Sequence, residues 1–503
     1  MKSKDIRILS KFERQIEERL DRNNHPDHDG PVMNVPNIQY EMSEKTRAIG
    51  YGAIGAIHTL CNRANLTDNI NERVHVLKRH LPYHESDHVL NIAYNALTGG
   101  KCLQDIENNR TDEAFLDALG AERIPDPTTS GDFCRRFEDQ DVDDLLEAVN
   151  DSRLQVWEQT IPKRERDLAI IDVDGKIAET TGECKEGMDI AYNGIWGYHP
   201  LLVSLRNTGE PLYLVNRSGN RPSHDGAGPR IDQATGLVSS FFRATILCGD
   251  TDFSLTENFD RWTDSSVGFS FGYNAMPNLV RKADELDERR WKPLVRRQKR
   301  PLTGAKRAKP RNVKGRIVVE RGFRKKRLVE EHITEFPYSP TRCRYDYRMV
   351  VVRKKIRITE GQQHLFDEKM YFFYITNLKQ LDAEEVLFLN NDRCNQENLF
   401  KELANGLNAM RMPEGDLVSN WAYMVMSSLA WTLKAWFSLH VWLRKDREKL
   451  LRMGFRQFVN RVICIPCQII QGARRVTFRL LGWTEWTRTF LNTFERLRSM
   501  SYG

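Results

Sequence analysis

Five carboxylates stand where a chain could hold divalent metal. Asp172 and Asp174 close the apolar run Ala169-Ile-Ile-Asp-Val-Asp174, Asp250 and Asp252 follow the run Thr245-Ile-Leu-Cys-Gly249, and Glu397 lies on a helical stretch beginning near Cys394. Breaking and remaking a phosphodiester bond needs an oxygen nucleophile, neutralisation of a pentacoordinate charge and an in-line geometry, and two magnesium ions about 4 Å apart supply all three. Magnesium takes hard oxygen ligands and keeps several waters, so the protein need offer only three carboxylates on a rigid frame. The set that fits is Asp174, Asp250 and Glu397, with Mg2+ as cofactor and Mn2+ able to substitute. Asp172 shares a strand face with Asp174 and is a rival first ligand; Asp252 is the corresponding rival of Asp250. Taken singly, each is more often a helix cap or a solvated side chain.

Such a frame requires strand ends side by side. The apolar run at 169–174 reads as a buried strand. Short β-rich runs follow at 201–205 and 212–215, joined by the hairpin chemistry of Asn207-Thr208-Gly209-Glu210. A helix at 231–243 leads to a fourth strand at 245–250, and a further helix to a fifth at 267–271. Three strands, helix, strand, helix, strand is the order of the ribonuclease-H-like nucleotidyl-transferase fold, whose carboxylates sit at neighbouring strand ends. The expected class is therefore α/β: a ribonuclease-H-like mixed sheet flanked by helices, interrupted by a β-rich insertion, with an N-terminal helical DNA-binding region.

The flanking segments read as follows. Residues 1–40 are a turn-rich, loose arm, and 41–165 are helical. In the latter, Ser86 can cap a helix that Gly99 and Gly100 stop, and Thr129 can cap a second one with Asp132 three residues on. In that second helix Phe133 and Phe137 face inward while Arg135 and Arg136 point out. A helix-turn-helix module over 86–140 and a plain helical domain with exposed arginines are equally good readings. The catalytic domain spans 166–280 and 386–445, separated by the insertion at 281–385 with strands at 315–320, 348–359 and 369–376. Leu399, Leu403, Leu407 and Met410 mark one helix face after it. The apolar segment 421–442 is broken by Lys434 and His440 and reads as a buried helix, not a membrane span. Residues 446–503 form a basic, helical, aromatic tail.

Composition narrows the class further. With 503 residues, 40% hydrophobic and 29% charged, the chain fits two to four packed units of an ordinary globular protein. Its net charge of +7 is unevenly spread: 18 of the 39 residues from 289 to 327 are Lys or Arg. That density suits phosphate neutralisation, with Arg296, Arg297, Lys299 and Arg300 as candidates, though a solvated linker is the bland alternative. Nine cysteines without a repeating pattern give no disulfide framework, and Cys464-Ile-Pro-Cys467 lacks a second pair for zinc. The charged N-terminus has no apolar core of a secretory signal. The expected setting is the cytoplasm, with double-stranded DNA as partner and no membrane. Among smaller signals, Arg217 and Arg221 flank Gly219 in a loop able to present guanidinium groups to phosphate, or simply a structural turn. Lys401, one turn after Glu397, is suited to DNA or to an i,i+4 pair. His84 and His88, also one turn apart, are usually surface or capping residues without further ligands.

The run Ile171-Asp-Val-Asp-Gly-Lys-Ile177 resembles the hydrophobic-D-x-D-x-T opening of bacterial insertion-sequence transposases of the DDE class. Cys248-Gly-Asp-Thr-Asp-Phe253 is similar to the R-x-D-S-x-F block around their second aspartate, and Arg393 to Glu397 resembles the R-x-x-x-E of their third. Gly194-Ile-Trp-Gly-Tyr-His-Pro-Leu-Leu202, Gly209-Glu-Pro-Leu-Tyr213 and Arg217-Ser-Gly-Asn-Arg-Pro-Ser223 occur in the family's order. The resemblance spans residues from near 86 to about 436. It implies Asp174, Asp250 and Glu397 as the catalytic triad, Arg393 as a phosphate contact, and a β-stranded insertion that touches transposon ends. It also implies cleavage and joining of DNA at both ends and in a target, a homodimer synapsing two ends, and a nucleoid-associated setting. Lys176, Cys248 and Asn390 depart from the family's Thr or Ser, Arg and Tyr. A DNA-binding descendant with weakened catalysis, and a nuclease without strand transfer, therefore stand as alternatives.

Overall fold

The computed structural model describes residues 3–21, 38–80, 82–296, 324–360, 363–392, 394–472 and 475–499. Up to Thr160 the described chain is helical apart from the two-residue strand β1 (Ala48–Ile49). The loose arm is corrected in part: Ser3–Leu20 is a helix that buries Leu9. Its residues are mostly good helix formers, with Arg14 and Glu18 paired at i,i+4. The turn-rich patch that suggests an arm lies outside the described residues.

Two expected caps move. The helix Glu85–Leu97 is capped by His84, whose N–H donates to Asp87 at 2.8 Å, while Ser86 is buried in the first turn with its N–H on Asn71 Oδ1. The helix ends as expected, with Gly99 at φ +95°. Likewise Asp126, not Thr129, caps Pro127–Cys134: its carboxylate accepts from the N–H and the hydroxyl of Thr129 at 2.9 and 2.8 Å. An ionised cap at the positive helix end outcompetes a hydroxyl, and Pro127 sits at the first position, where a missing N–H costs nothing.

After the helix Asp139–Thr160 the order of elements follows the sequence reading. Strand β2 (Leu168–Gly175) and the short β3 (Ala178–Glu179), β4 (Asp189–Ile190) and β5 (Trp196–Tyr198) precede the hairpin of β6 (Leu201–Leu205) and β7 (Glu210–Val215). The helix Ala227–Ser239, β8 (Ala244–Gly249), the helix Thr256–Asp264 and β9 (Gly268–Tyr273) complete the set. The insertion contributes β10 (Lys292–Pro293), β11 (Arg324–Tyr338), β12 (Tyr347–Glu360) and β13 (Gln363–Thr376). The strand expected at 315–320 lies outside the described residues, and the charges of β11 conceal it from a reading of hydrophobic alternation. The basic tail is corrected as well. Besides helices Arg444–Arg452 and Thr487–Ser499 it holds a hairpin, β14 (Cys467–Gly472) and β15 (Arg475–Leu480), and β14 also pairs with β1. Cys464 and Cys467 are free thiols there, and burial pushes that of Cys467 up to about 11.

The chain divides into two compact units, one of Met1–Arg166, Gly175–Pro222 and Glu397–Gly503, the other of Asp167–Asp174 and Ser223–Gln396. The first is built around the helix Leu417–Leu439, capped by Asp416 and buried along its whole length from Ser419. A helix apolar on every side belongs in a core, and this one packs on Glu85–Leu97, Asp139–Thr160 and β7. Its Lys434 donates to Leu451 O at 2.9 Å and lies over the Trp431 ring, and burial lowers its pKa to about 7. Among the described residues no helix is long and apolar enough to cross a membrane. The same core contains an ion pair between Arg153 and Glu210, 1% and 0% exposed, at 3.0 Å. Glu210 also accepts from the indoles of Trp157 and Trp436 at 3.0 and 2.8 Å, so its charge is met on all sides.

The second unit is a mixed sheet flanked by helices, with strand order β10-β11-β12-β13-β9-β8-β2. β2, β8 and β9 run parallel; β9 through β13, β12, β11 and β10 alternate in direction. The insertion is thus not a separate body. β13 is hydrogen-bonded to β9, with Phe373 opposite Tyr273 and Thr376 opposite Ser270. Val350 and Val352 of β12 pack with Ile333 of β11 and with Val386 and Leu387 of the helix Ala383–Asn391.

Candidate functional site

Two of the three expected carboxylates share one strand-end geometry in the second unit. β2 and β8 are parallel neighbours whose register pairs Ile170 with Ile246 and Asp172 with Cys248. The paired register ends there; Asp174 lies two residues further along β2, and Asp250 follows the last residue of β8, Gly249, as the cap of the next turn. Strands in a sheet lie about 4.8 Å apart, and parallel partners point to one face. This face is apolar at its start, where Ile246, Cys248 and Leu378 pack with Leu168 and Ile170, and acidic at its carboxyl end. Asp174 is half-buried at that end, whereas Asp172 is 1% exposed, one step inside.

The loop after β8 fixes the second aspartate. Asp250 caps a short 3₁₀ turn, Thr251–Phe253, its Oδ1 accepting from the Asp252 N–H at 2.9 Å. Phe253 anchors the turn in the core. A Cβ on Gly249 would come within 2.9–3.0 Å of Phe253, Val173 and Phe271, and one on Gly272 would meet Thr251 N at 3.0 Å. Only glycine lets β8 and β9 close so tightly under Asp250. Asp252 is exposed, and its contribution to Asp250 is a backbone N–H.

Glu397 occupies the first turn of the helix Cys394–Lys401 and is exposed. The helix face expected through Met410 is corrected in extent: a π-helical turn, Glu402–Gly406, ends it, although Leu399, Leu403, Leu407 and Met410 are all buried. Glu402 accepts from Phe455 N at 2.8 Å, and its carboxylate fills the space beside Gly406 and Gly454. That long-range bond accompanies the widened turn and has no local signal in the sequence.

The expected DNA contacts divide into three groups. Arg217 fits the structural-turn alternative: it is buried, and its Nε donates to His199 O at 2.8 Å and its Nη1 to Pro222 O at 3.4 Å. His199 in turn bonds Arg221 O through Nδ1 at 2.8 Å, which ties the Gly-Tyr-His-Pro and Arg-Ser-Gly-Asn-Arg-Pro motifs together. Gly219 belongs to the same construction, since a Cβ there would meet Gly197 O at 2.2 Å. Arg135 is engaged as well, by Asp132 and by the buried Glu414. Arg296 makes a two-pronged pair with Glu331 at 2.9 and 2.7 Å, which raises the arginine's pKa and lowers the carboxyl's. Arg136, Arg221 and Lys401 are exposed. Arg297, Lys299, Arg300 and Arg393 lie outside the described residues, as does most of the basic stretch.

The departures from the family pattern are accommodated by packing. Cys248 is fully buried beside Asp172, and Asn390 is buried with its amide on Ser270 Oγ at 2.6 Å and Val386 O at 2.9 Å. His88 is corrected from a surface residue to a buried one, stacked on Phe133 at 4.2 Å, and burial lowers its pKa to about 4.

The sequence model of the family described as transposase DDE domain group 1 matches residues 52–502. Among solved structures, a cryo-EM structure of a piggyBac transposase synaptic complex with hairpin DNA aligns over 83% of this chain and 82% of that chain, at 9% identity and a TM-score of 0.36. No curated protein matches the chain.

Proposed function

The chain belongs to the group 1 family of DDE-domain transposases, and from that premise we propose that it binds the terminal inverted repeats of a mobile element and catalyses metal-dependent DNA cleavage and strand transfer. The observation that supports this reading is the parallel pairing of β2 with β8, which ends at Asp172 and Cys248, two residues short of Asp174 and of Asp250. Two carboxylates following neighbouring parallel strands, one half-buried and one held by a glycine-tight turn, offer hard oxygens suited to Mg2+ or Mn2+. Asp174 and Asp250 would hold the divalent ions, which would supply the positive charge that offsets the pentacoordinate phosphate and activates the attacking oxygen. Asp174 is the first ligand in this reading, because its accessible position leaves room for the waters magnesium retains, while Asp172 supports the strand end from inside. Asp250 is the second, oriented by the Asp252 N–H. Glu397 is assigned as the third through its match to the family's third motif, and it is accessible on its helix.

On the DNA side, Arg136, Arg221 and Lys401 are the accessible cations that support phosphate contact, together with the basic stretch of the insertion. Double-stranded DNA, as transposon ends and target, is the proposed partner, with a homodimer synapsing two ends. The bacterial insertion-sequence origin is part of the same proposal and rests on the motif resemblance.

The test is direct. Purified protein incubated with end-containing DNA and Mg2+ should nick at the element ends and yield products joined to target DNA, and both activities should vanish in Asp250→Asn and Glu397→Gln. Unchanged cleavage in those variants would reject the assignment, and cleavage without any joined product would leave a nuclease.

A further inference from the structure

We propose that His80, His84 and Glu85 form a transition-metal site, with Zn2+ the occupant their chemistry suits, independent of the carboxylate centre and of the function proposed above. The three offer ligand atoms that all lie within 4.8 Å of one another. Sequence spacing pairs His84 with His88 and supplies no further ligand. In the fold His88 turns into the core, and His84 instead meets His80, their rings stacked at 4.6 Å with 16° between planes.

The third ligand is the most constrained. Glu85 is 1% exposed although it heads a helix. Its Oε1 accepts the Leu77 N–H at 3.1 Å, and this bond orients Oε2 toward His80 Nε2 at 3.0 Å. A carboxylate fixed by a backbone donor while its other oxygen faces two imidazoles has the outer-shell support that metal ligands characteristically carry. Glu85 and His84 come from the rigid start of the helix Glu85–Leu97, where the His84 N–H is held by Asp87. His80 comes from the segment leading into it. A simple His80–Glu85 ion pair and the capping role of His84 account for the backbone placement but do not require the His84 ring to stack on His80.

Two imidazole nitrogens are borderline ligands, and beside one carboxylate oxygen they favour Zn2+ over Mg2+. Both histidines are exposed, so the fourth position is open to water. An ion bound there clips the segment before the helix onto its first turn, and because it binds the folded chain it stabilises it.

Titration of the metal-stripped full chain with Co2+, in millimolar Mg2+ to fill the carboxylate centre, reads the site through the visible absorption of a histidine-ligated ion. One equivalent is expected, with a Zn2+-dependent rise in melting temperature. Both signals should be lost in His80→Ala and His84→Ala, and affinity should fall about ten- to hundredfold in Glu85→Gln. His75→Ala, which alters an exposed histidine outside the cluster, should bind as wild type. The proposal is overturned if the wild-type chain holds no Co2+ at micromolar concentrations, or if His80→Ala and His84→Ala titrate as wild type does. Melting curves of the metal-free variants show that each is folded.

Discussion

Asp174 lies near the end of β2 and Asp250 directly after β8, each two residues beyond the last pair, Asp172 and Cys248, of these parallel neighbours. Asp172, on the same strand face as Asp174, is sealed from solvent, whereas Asp174 and Asp250 are half-buried. On the proposed function, this difference makes Asp174 and Asp250 the ligands and Asp172 a support.

Asp174→Asn and Asp250→Asn should each reduce Mg2+-dependent cleavage by more than about a hundredfold, because metal-borne charge stabilisation is worth several kcal/mol. Melting temperature should change little, since the isosteric amides keep the local bonds. Asp172→Ala should behave oppositely, losing roughly 1–3 kcal/mol of stability by emptying a buried polar position. Gel-based cleavage and thermal melts on the three proteins decide it: a stable, fully inactive Asp172→Ala beside an active Asp174→Asn would exchange their roles.

The buried pair of Arg153 and Glu210 makes a prediction about stability alone. Replacing one partner leaves a charge without compensation, so Arg153→Met or Glu210→Gln should each cost about 3–5 kcal/mol. The double variant should cost less than the sum of the singles. Urea melts of the four proteins measure the coupling, and simple additivity would show that the two act separately.

Among the exposed arginines, the ion pairs of Arg135 with Asp132 and Glu414 mark it for a structural role, and Arg136 and Arg221 are the proposed DNA contacts. Arg136→Ala and Arg221→Ala should each flatten the dependence of log affinity on log salt by about 0.9 for every phosphate the missing guanidinium would have neutralised. Arg135→Ala, which breaks the pairs with Asp132 and Glu414, should lower the melting temperature with little effect on that slope. Fluorescence anisotropy with end DNA across a salt series distinguishes the two behaviours.

Acid should destabilise the first unit through buried imidazoles. Burial lowers the pKa of His88 and of His440 from 6.5 to about 4. The folded state therefore resists protonation that the unfolded chain accepts, and stability present above pH 6.5 falls as the pH drops toward 4. Each group contributes roughly 3 kcal/mol to that loss. His88→Phe, which keeps the stack on Phe133, should shallow the decline in melting temperature between those pH values; an unchanged slope would exclude His88.

Much of this architecture is readable because its signals are local. The apolar run ending at Asp174, the hairpin residues before Gly209, and the short apolar run into Asp250 each name an element without help from distant parts of the chain. What escapes depends on tertiary partners. Nothing near Glu210 in sequence announces Arg153, Trp157 and Trp436, and nothing around Arg217 announces that His199 and Pro222 will claim it. The caps at His84 and Asp126 escape because hydroxyls and carboxylates compete for the same N–H groups, and the fold chooses by where the chain enters the helix. β11 escapes because its lysines and glutamates pair across the sheet with those of β12, a cross-strand pattern that periodicity along one strand does not display.

The hydrogen bonding of β13 to β9 has a practical corollary for anyone trimming this protein. Excising residues 292–376 would not shorten a surface loop; it would bare the β9 backbone as a raw sheet edge, inviting self-association. It would also loosen the strand whose Gly272 props the turn bearing Asp250. The insert is therefore structural masonry rather than an interchangeable cassette, and exchanges between relatives should be cut on the far side of β12, where the ladder can be re-closed.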